Sequence, residues 1–484
     1  MANHALLDSL GIPTGSLLAG QIFTDGPPLD VTNPYTGDKI RAVATVNAAQ
    51  VTGLIDRIAT QPVKLSRQQR VEILEKIAGR LLSLEDAFSA LISVETGLCR
   101  RDTRTEVRRA ADVFAIAAHF TVHDNGESYP GDIGVNGKPR RIMTLREPLR
   151  GVIAAITPFN FPLNQVAHKL APAIATNNRM VVKPSEKAPL SALLLGKLAY
   201  ETGLPPQALS VVAGDPEVIV NAFLAHPAIE LLTFTGSTQV GKSLVGRAGY
   251  RRLVLELGGN DACIILGDAD PQAAARLVVQ GAFGNSGQRC TAIKRVLVDE
   301  SIADSVLQET LALVCALRLG DPLDEATDIG TLINEPAACE VERRVRAAVN
   351  EGAVLLAGGS RRGTVVEATV LDRVSPAMDV VKLETFGPVA PFIRFSSLDE
   401  AVAIANDTTL GLSASVCTDS LADAMRLVRE LQAGNVNIGE SPGYRSEASP
   451  FGGIKDSGLG VKEGIAKAME AYTHLKTFSL PWPL

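Results

Sequence analysis

Residues 151–159, GVIAAITPF, form the stretch that indicates the fold, because they are an apolar run of strand length that stops at a Thr-Pro pair. Similar short apolar runs follow at 179–185 (RMVVKPS), 209–214 (LSVVAG) and 230–236 (ELLTFTG). Segments with helical spacing, such as LSALLLGKLAYETG, separate these runs. Strands that alternate with helices predict an α/β fold with a parallel sheet and crossover helices.

The segments on either side extend this pattern and then depart from it. Residues 254–266, VLELGGNDACIIL, continue the strands, and a second α/β set is expected from about Pro271 to Asn437. Upstream, residues 51–123 repeat apolar side chains at three- and four-residue spacing, which predicts helices. Residues 1–50 predict an irregular arm with short strands.

Two peripheral segments predict exposed antiparallel strands. Residues 128–150 alternate, carry much charge and contain the turn dipeptide Asn136-Gly137, which is typical of a hairpin. The C-terminal tail from Tyr472, YTHLKTFSLPWPL, alternates in the same way and is expected to add to the same sheet. Because exposed sheet edges pair with other chains, we expect a homodimer or a homotetramer.

Composition disfavours several classes of function. A chain of 484 residues exceeds the roughly 250–300 at which one core stops growing, so two or three domains are expected. The net charge of −6 disfavours nucleic acid and anionic membrane surfaces, and no apolar run approaches the ~20 residues of a membrane span. The six cysteines form no CxxC pair, which disfavours a metal site and fits a reducing cytoplasm. The start, MANHALLDSLGIPTG, lacks a basic region followed by an apolar core and so predicts no secretory signal.

A single thiol stands in a polar, glycine-rich segment at 283–292, FGNSGQRCTA. Gly284 and Gly287 allow close backbone approach to whatever Cys290 attacks, and the adjacent Arg289 is expected to lower the pKa of the thiol. The alternative is a small apolar side chain in a loop, which is the commoner role of a cysteine. Cys290 is therefore a candidate nucleophile whose assignment depends on its surroundings.

Two polar residues at strand ends are candidates for the accompanying chemistry. Glu256, in VLELGGN, follows an apolar strand, where partial burial would raise its pKa towards that of a general base. An exposed strand-end glutamate is the alternative. Asn160, in ITPFNFPLN, can offer its amide to a developing oxyanion or simply cap a turn. Together the two would give Cys290 a base and an oxyanion donor.

Residues 234–246, FTGSTQVGKSLVG, predict a strand, a turn and a helix start capped by Ser237 or Thr238. Backbone amides at such a start attract a pyrophosphate. The spacing of Gly236 and Gly241 is GxxxxG rather than the GxGxxG fingerprint, so a plain capped helix is the alternative.

A charged pair at another strand end bears on cofactor choice. Lys183 and Glu186, in VVKPSE, can reach ribose hydroxyls or form a solvated pair. Glu186 should repel a 2′-phosphate, which favours NAD over NADP. Lys183 and Ser185 would tolerate the phosphate if Glu186 swings away, so the sequence leaves NAD and NADP both open.

Seven motifs occur in one order along nearly the whole chain, namely TPFNFP, KPSE, FTGSTQVGK, LELGGN, GQRC, ETFGP and PFGGIKDSG. In this order and spacing they resemble the aldehyde dehydrogenase superfamily. The resemblance implies an NAD(P)-dependent oxidoreductase with a Rossmann-type cofactor domain, an α/β catalytic domain and a small β oligomerisation element. The implied boundaries are 1–127 and 149–258 for the cofactor domain with 447–469 returning to it, 259–446 for the catalytic domain, and 128–148 and 470–484 for the oligomerisation strands.

The resemblance also implies roles for single residues. Cys290 matches the nucleophile, Glu256 the general base and Asn160 the oxyanion-hole amide. Lys169 falls where family members have a lysine close to the active site. The positions that match cofactor contacts are Thr157, Pro158, Phe159, Lys183, Ser185, Glu186, Gly214, Phe234, Gly236, Ser237, Val240, Leu257, Gly258, Glu384 and Phe386.

The implied mechanism is oxidation through a covalent intermediate. The Cys290 thiolate attacks the aldehyde, Asn160 holds the oxyanion, hydride leaves for the nicotinamide, and Glu256 activates water to hydrolyse the thioester. Acyl transfer to coenzyme A is one alternative, and Glu256 disfavours it because that branch generally lacks this glutamate. A cysteine hydrolase and a non-catalytic protein on the same fold are the others.

The predicted substrate is a small aldehyde, with an anionic one as the hypothesis. Two or more arginines at one mouth can hold a carboxylate, phosphate or phosphonate, whereas ordinary surface arginines are the alternative. The PGYR and PFGGIKDSGLG stretches look most like the phosphonoacetaldehyde dehydrogenase branch, near lactaldehyde and non-phosphorylating glyceraldehyde-3-phosphate dehydrogenases. That branch has a histidine where this chain has Phe161, which removes an anion contact and argues against a phosphonate. The candidate substrate residues are Arg289, Arg445, Phe161, Arg108 with its neighbour Arg109, and Phe451.

Overall fold

Two seven-stranded sheets form the body of the protein in a computed structural model that describes residues 10–482. The predicted N-terminal arm and the stretch tested for a secretory signal begin with residues 1–9, which lie outside the described residues. The last two residues of the predicted tail, 483–484, also lie outside them. Within the described part, no helix is both long enough and apolar enough to span a bilayer.

The strands are numbered in chain order. The first eleven are β1 (Ser16–Leu18), β2 (Gln21–Phe23), β3 (Pro28–Thr32), β4 (Lys39–Ala44), β5 (Ser128–Pro130), β6 (Arg140–Pro148), β7 (Val152–Ile156), β8 (Met180–Lys183), β9 (Leu209–Val211), β10 (Ile229–Thr235) and β11 (Arg252–Glu256). The others are β12 (Asp261–Ile265), β13 (Ile293–Asp299), β14 (Val354–Ala357), β15 (Arg361–Arg362), β16 (Val365–Val366), β17 (Thr369–Asp372), β18 (Val389–Phe395), β19 (Leu410–Gly411), β20 (Ser413–Cys417), β21 (Asn435–Ile438), β22 (Ile454–Lys455) and β23 (Thr473–Pro481).

The helices are numbered in the same way. They are α1 (Ala48–Ala59), α2 (Arg67–Ser83), α3 (Glu85–Thr96), α4 (Arg100–His123), α5 (Asn164–Ala175), α6 (Leu190–Glu201), α7 (Pro216–Ala225), α8 (Thr238–Arg247), α9 (Pro271–Phe283), α10 (Ala303–Cys315), α11 (Glu335–Asn350), α12 (Asp379–Lys382), α13 (Leu398–Asn406), α14 (Leu421–Glu430) and α15 (Ile465–Ala471).

The first sheet has the strand order β11-β10-β7-β8-β9-β1-β2. Strands β7 to β11 run parallel, as the alternation of apolar runs and helices predicts. Strands β1 and β2 come from the predicted irregular arm and add to the edge in antiparallel fashion. The chain order reverses between β7 and β10, and ligands of open α/β sheets bind outside the carboxyl ends of the strands at such a point.

Two buried glutamates on α3 and α4 bind the first residues of α5 and α6, two helices that connect strands of the first sheet. Glu106 on α4 accepts hydrogen bonds from the amides of Leu163 and Asn164, at 2.8 and 2.9 Å, where α5 begins. Glu95 on α3 accepts two amide hydrogen bonds at the start of α6 in the same way. Because helix-start amides lack partners within the helix, these carboxyl groups fix α5 and α6 against the helical layer.

The second sheet has the strand order β14-β17-β18-β13-β12-β20-β21, in which only β14 is antiparallel to its neighbour. The chain passes directly from β11 of the first sheet to β12 of the second through residues 257–260. The carboxyl end of β11 therefore lies next to the amino end of β12. Loops from the carboxyl edge of the first sheet and from the amino edge of the second meet at this junction.

A third sheet, of order β23-β6-β5, is antiparallel and forms from the two predicted peripheral segments. The tail strand β23 pairs with β6 along its whole length, from Thr473 opposite Pro148 to Pro481 opposite Arg140. Residues 131–139 join β5 to β6, so the connection is longer than the two-residue turn that Asn136-Gly137 predicts. The prediction that the tail adds to the hairpin is confirmed.

Candidate active site

Residues 284–292, here named the nucleophile loop after the predicted role of Cys290, follow α9. The loop begins with a short turn of left-handed backbone. Asn285, Ser286 and Gly287 have φ values of 59, 53 and 70°. Residues other than glycine adopt this conformation at a cost of about 1–3 kcal/mol each, and they keep it only where the surroundings hold it. A Cβ at Gly287 would overlap the backbone of Gly387, so glycine is required there on two grounds.

Hydrogen bonds to two distant segments hold this turn in place. The amide of Asn285 donates to Asp102 on α4 at 2.6 Å. The side chain of Gln288 donates to the carbonyl oxygen of Thr331 at 3.1 Å and accepts from the amide of Ile333 at 2.9 Å. The loop that carries the cysteine is therefore fixed before any substrate arrives.

Burial dominates the chemistry of the Cys290 thiol and raises its pKa to about 11. Two cations act against this shift, Lys294 and then Arg445. The Lys294 ammonium donates hydrogen bonds to the carbonyl oxygens of Arg289 and Cys290, at 2.7 and 2.8 Å. In the resting enzyme the thiol is therefore mostly protonated, and Lys294 is the larger of the two charges that favour the thiolate.

The Arg289 side chain is engaged at the end of α9. Its Nη2 donates to the carbonyl oxygens of Gln280 and Gly281, at 3.1 and 2.6 Å. Arg289 and Cys290 interact electrostatically, but Lys294 and Arg445 are the leading cations that lower the pKa of the thiol. The expected lowering of that pKa by Arg289 stays a prediction.

Asn160 lies where β7 ends and is joined to the nucleophile loop by two hydrogen bonds. Its Nδ2 donates to the carbonyl oxygen of Gln288 at 2.8 Å, and its own carbonyl oxygen accepts from the side chain of Asn285 at 3.0 Å. The structure therefore brings Asn160 to the loop of Cys290. An amide nitrogen carries two hydrogens, so one N–H orients the group and the second is available as a donor.

Glu256 is the last residue of β11 and is buried. Neither oxygen of its carboxyl group has a hydrogen-bond partner among residues 10–482. Burial raises its pKa well above the usual value, and the neighbouring carboxylate of Glu463 adds to the shift. Lys169 and Arg445 act in the opposite direction. Such a carboxyl group binds a proton more strongly than an exposed glutamate, which suits a general base.

Lys169 projects from α5 and is almost fully buried, at 1% exposure. Its ammonium donates to Thr235 Oγ1 at 2.8 Å and to Glu463 Oε1 at 3.0 Å. Burial alone would raise the pKa of Glu463, but Lys169, together with His168 and Arg445, outweighs it and lowers that pKa. Lys169 therefore lies in a buried charge network beside Glu256.

A third carboxylate, Glu447, lies in a cluster with Arg109, His168, Arg445 and Phe451, which is here named the mouth of the site. Its Oε1 accepts from Arg109 Nε at 2.5 Å, and its Oε2 lies 2.8 Å from His168 Nε2 and 3.6 Å from Arg445 Nε. The Arg445 guanidinium lies 4.0 Å from the centre of the Phe451 ring. Three predicted substrate residues, Arg109, Arg445 and Phe451, thus share one cluster.

Arg108 is not brought to this mouth. It pairs with Glu85 on the surface, with N–O distances of 3.1 and 2.8 Å. Successive side chains on a helix point about 100° apart, so on α4 only Arg109 of this pair faces the site. Phe161, in contrast, does border the cavity next to the nucleophile loop.

The predicted cofactor residues divide into two groups, of which the first lies at the carboxyl edge of the first sheet. Lys183 ends β8, and its ammonium lies 3.1 Å from Glu186 Oε2. Burial lowers the pKa of Lys183, whereas this ammonium outweighs burial at Glu186 and lowers the pKa of that carboxyl. Ser237 caps α8 by accepting from the amide of Val240 at 3.4 Å.

The second group lies at the junction between the sheets. The amide of Gly259 donates to Glu384 Oε1 at 3.2 Å, and a Cβ at Gly258 would overlap that carboxylate. The rings of Phe159 and Phe386 meet edge to face, with centres 6.1 Å apart. The segments of Phe159 and Phe386, more than two hundred residues apart in the chain, are therefore in contact at this junction.

These features fit a dinucleotide. The capped start of α8 offers amides for a pyrophosphate, Lys183 and Glu186 offer a donor and an acceptor for ribose hydroxyls, and Gly258 keeps a cradle open that a side chain would fill. The other predicted cofactor positions lie close to the carboxyl ends of β7 to β11 or to the start of α8, namely Thr157, Pro158, Ser185, Gly214, Phe234, Gly236, Val240 and Leu257.

A buried cysteine, an adjacent amide, a buried carboxyl group and a dinucleotide cradle together define a cysteine-dependent oxidoreductase of the α/β class. The model of the aldehyde dehydrogenase family matches residues 23–478. The chain belongs to this family and is an NAD(P)-dependent aldehyde dehydrogenase.

Three comparisons illustrate the relationship. The chain is 36% identical over 471 residues to lactaldehyde dehydrogenase of Methanococcus maripaludis, covering 94% of this chain and 99% of that protein. It is 36% identical over 461 residues to 3-sulfolactaldehyde dehydrogenase of Priestia aryabhattai, covering 95% and 96%. The crystal structure of glyceraldehyde-3-phosphate dehydrogenase GapN from Methanocaldococcus jannaschii, complexed with NADP, superposes with a TM-score of 0.90 at 35% identity, covering 95% and 100%.

Sequence reasoning missed four residues that the structure places at the site. Their shared property is a charged or titratable side chain that is buried against a predicted site residue. A buried lysine requires a hydrogen-bond acceptor, so Lys169 indicates a nearby carboxylate. The sequence does not indicate which carboxylate in the chain this is. The four are His168, Lys294, Glu447 and Glu463.

Proposed function

We propose that this enzyme oxidises a small anionic aldehyde to its carboxylic acid. The observation that carries the proposal is the position of Arg445, which is 11% exposed in its side chain and acts on the pKa of both Cys290 and Glu256. Its Nη1 is buried and has no hydrogen-bond partner within the described chain. A cation with a free donor beside the nucleophile and the base favours an anion on the substrate. The relative named for 3-sulfolactaldehyde supports this proposal.

The first half of the proposed mechanism forms a bond to sulfur. The Cys290 thiol gives its proton to solvent water, and the thiolate attacks the aldehyde carbon. The second N–H of Asn160 donates to the aldehyde oxygen as negative charge develops there. The positive charge of Lys294, which is held by the carbonyl oxygen of Cys290, favours the thiolate. A bound nicotinamide cofactor supplies the hydride acceptor that turns the tetrahedral adduct into a thioester.

The second half releases the acid. Glu256 has two buried oxygens that are unpartnered within the described structure and a raised pKa, so it takes a proton from water. The resulting hydroxide attacks the thioester carbon, and the Cys290 thiolate departs. Lys169, held by Thr235 and Glu463, keeps a positive charge beside the base.

We propose NAD as the preferred cofactor, because the carboxylate of Glu186 accepts hydrogen bonds from an unphosphorylated ribose and repels a 2′-phosphate. Lys183 lies 3.1 Å from this carboxylate and reduces the repulsion. NADP therefore remains a substrate with a higher KM. The first sheet, with 447–469 returning to it, would form the cofactor domain, and residues 259–446 the catalytic domain.

We also propose that the third sheet joins subunits into a homodimer or a homotetramer. Apolar side chains of β6 and β23 are exposed in the single chain, and a strand edge adds readily to another sheet. Examples are Leu145, Leu475 and Leu480, with exposures of 48, 62 and 44%. A cytoplasmic location is proposed with this assembly.

The test is a spectrophotometric assay of the purified enzyme with NAD⁺ or NADP⁺, without coenzyme A, against short neutral and anionic aldehydes. We expect reduced cofactor to accumulate, faster with the anionic aldehyde of each matched pair and with a lower KM for NAD⁺. Cys290→Ala should abolish turnover, while Cys315→Ala, at an exposed cysteine, serves as the matched control. No reduction with any aldehyde, or reduction only when coenzyme A is added, would refute the proposal.

A further inference from the structure

Asn285 joins three parts of the site that lie far apart in the chain. Its backbone amide donates to Asp102 Oδ2 on α4 at 2.6 Å, and its side-chain Nδ2 donates to the carbonyl oxygen of Asn160 at 3.0 Å. A longer hydrogen bond of 3.4 Å runs from the same Nδ2 to the carbonyl oxygen of Gln288. Asn285 is 4% exposed, so its side-chain hydrogen bonds are shielded from bulk water.

Asn160, Asn285 and Gln288 are connected in a closed ring of hydrogen bonds. Asn160 Nδ2 donates to the carbonyl oxygen of Gln288 at 2.8 Å, and Asn285 Nδ2 donates to the carbonyl oxygens of both other residues. All the acceptors are carbonyl oxygens, so both asparagine side chains must present their nitrogen to the ring. Gln288 lies two residues before Cys290. The ring therefore ties the segment of the oxyanion donor to the segment of the nucleophile.

The backbone of Asn285 is held in an unfavourable conformation. Its φ of 59° lies in the left-handed region, which residues other than glycine rarely adopt. The hydrogen bond from its amide ends on the carboxylate of Asp102, and a charged acceptor gives the stronger kind of hydrogen bond. Asp102 therefore fixes the backbone at the point from which the side chain reaches Asn160. Residues that are strained and held by their surroundings cluster at active sites.

The nucleophile loop has supports that do not involve the Asn285 side chain. The Gln288 side chain bonds to the backbone of two residues outside the loop, and Lys294 binds the carbonyl oxygen of Cys290. The carbonyl oxygen of Asn160, in contrast, is bound by the Asn285 side chain. Loss of that side chain should therefore leave the thiol in place and release the oxyanion donor.

We propose that Asn285 is a positioning residue for the oxyanion donor, which it holds beside the nucleophile through the ring with Asn160 and Gln288. This inference rests on the proposed function, because an oxyanion forms only if Cys290 attacks an aldehyde. The second N–H of Asn160 then meets the developing charge without prior rearrangement. Asn285 acts through Asn160 and needs no contact with the substrate.

The experiment separates two reactions of Cys290. Attack on an aldehyde builds an oxyanion, whereas alkylation by iodoacetamide displaces iodide and builds none. Asn285→Gly removes the side chain and keeps the left-handed backbone, which glycine adopts freely. In this variant we expect the burst of reduced cofactor to slow about 10–100-fold, since an oxyanion donor contributes about 10²–10³ and is here displaced rather than removed. The rate of Cys290 alkylation, followed by peptide mapping, should change by less than about twofold.

Asn177→Gly is the matched control, because Asn177 has the same φ of 59° and binds the backbone of Leu65, outside the site, with its side chain. It should lose thermal stability to a similar extent but keep the burst rate. Asn285→Asp is the second variant, because it keeps the size of the side chain and replaces the Nδ2 donor with an acceptor. It should slow the burst at least as much as Asn285→Gly.

A burst in both Asn285 variants at the rate of the unaltered enzyme would overturn the inference. So would an equal slowing of the burst and of alkylation, because the side chain would then support the nucleophile loop as a whole. In either case reduced cofactor would still form and the proposed function would stand. No reduced cofactor from the unaltered enzyme with any aldehyde would instead overturn the proposed function, and this inference with it.

Discussion

At the scale of single residues, Lys294, four positions after Cys290 in the chain, is the leading charge that favours the thiolate. Burial raises the pKa of the thiol to about 11, and Lys294 is the largest opposing charge. The ammonium is 2% exposed and is held between the Cys290 carbonyl oxygen and Glu384, 3.5 Å away. Because water is excluded there, its charge acts on the thiolate with little screening.

This position predicts how alkylation of Cys290 depends on pH. The thiolate is the reactive form, so the rate with iodoacetamide should rise about tenfold per pH unit and reach no plateau below pH 9. Lys294→Met should lower the rate at each pH because the pKa of the thiol rises further, whereas Lys294→Arg should retain most of it. Peptide mapping is required, since Cys315 and Cys339 are exposed and also react.

The control is Lys242→Met, because that lysine pairs with Asp456 on the surface. A rate in Lys294→Met equal to that of the unaltered enzyme would contradict the assigned role, as would a plateau near pH 8 in the unaltered enzyme.

The site residues that the sequence predicts lie in recognisable local motifs, whereas the site residues that it does not predict lie outside such motifs. Cys290, Glu256 and Asn160 stand in glycine- or proline-rich motifs next to strands, so local pattern and family resemblance both indicate them. Glu447 and Glu463 acquire their roles from partners about three hundred residues away in the chain. Neither a motif nor a periodicity encodes such a pairing, because only the fold determines which buried charges meet.

At the scale of elements, the third sheet shows what alternation in a sequence can establish. The tail and the hairpin were predicted to share a sheet, and nine residues of β23 pair with β6. The length of the β5–β6 connection was not predictable from Asn136-Gly137, since a turn dipeptide does not determine where the flanking strands begin. The membership of β1 and β2 in the first sheet was equally hidden, because edge strands three residues long carry little periodicity.

The exposed apolar face of this sheet leads to a prediction about assembly. Leu475→Lys should weaken the subunit interface, raising the dissociation constant at least about tenfold, because a leucine buried there contributes roughly 1.5–3 kcal/mol. Removal of 473–484 should lower the oligomeric state outright. Light scattering and sedimentation measure both effects.

Leu421→Lys is the control, because this leucine is more exposed, at 76%, and lies on α14 outside the sheet. An unchanged oligomer after the truncation would refute the proposed role of the sheet.

At the scale of the whole molecule, the site exists because two sheets meet edge to edge. The first sheet contributes Asn160 and Glu256 at its carboxyl edge, and the second receives Cys290 at its amino edge, just before β13. The passage from β11 to β12 through 257–260 makes this meeting unavoidable. The sequence predicts both sets of strands and their order, but the contact between Phe159 and Phe386 depends on how the sheets pack.

The central claim is that the acyl group is held by Cys290 until Glu256 activates water. The most direct measurement is the intact mass of Glu256→Gln after mixing with NAD⁺ and an accepted aldehyde. The account predicts a burst of reduced cofactor, an adduct on Cys290 equal to the aldehyde less two hydrogens, and steady turnover slower by about 10²–10⁴. The double variant Cys290→Ala with Glu256→Gln should carry no adduct. Unchanged steady turnover in Glu256→Gln, or reduced cofactor without an adduct on Cys290, would contradict it.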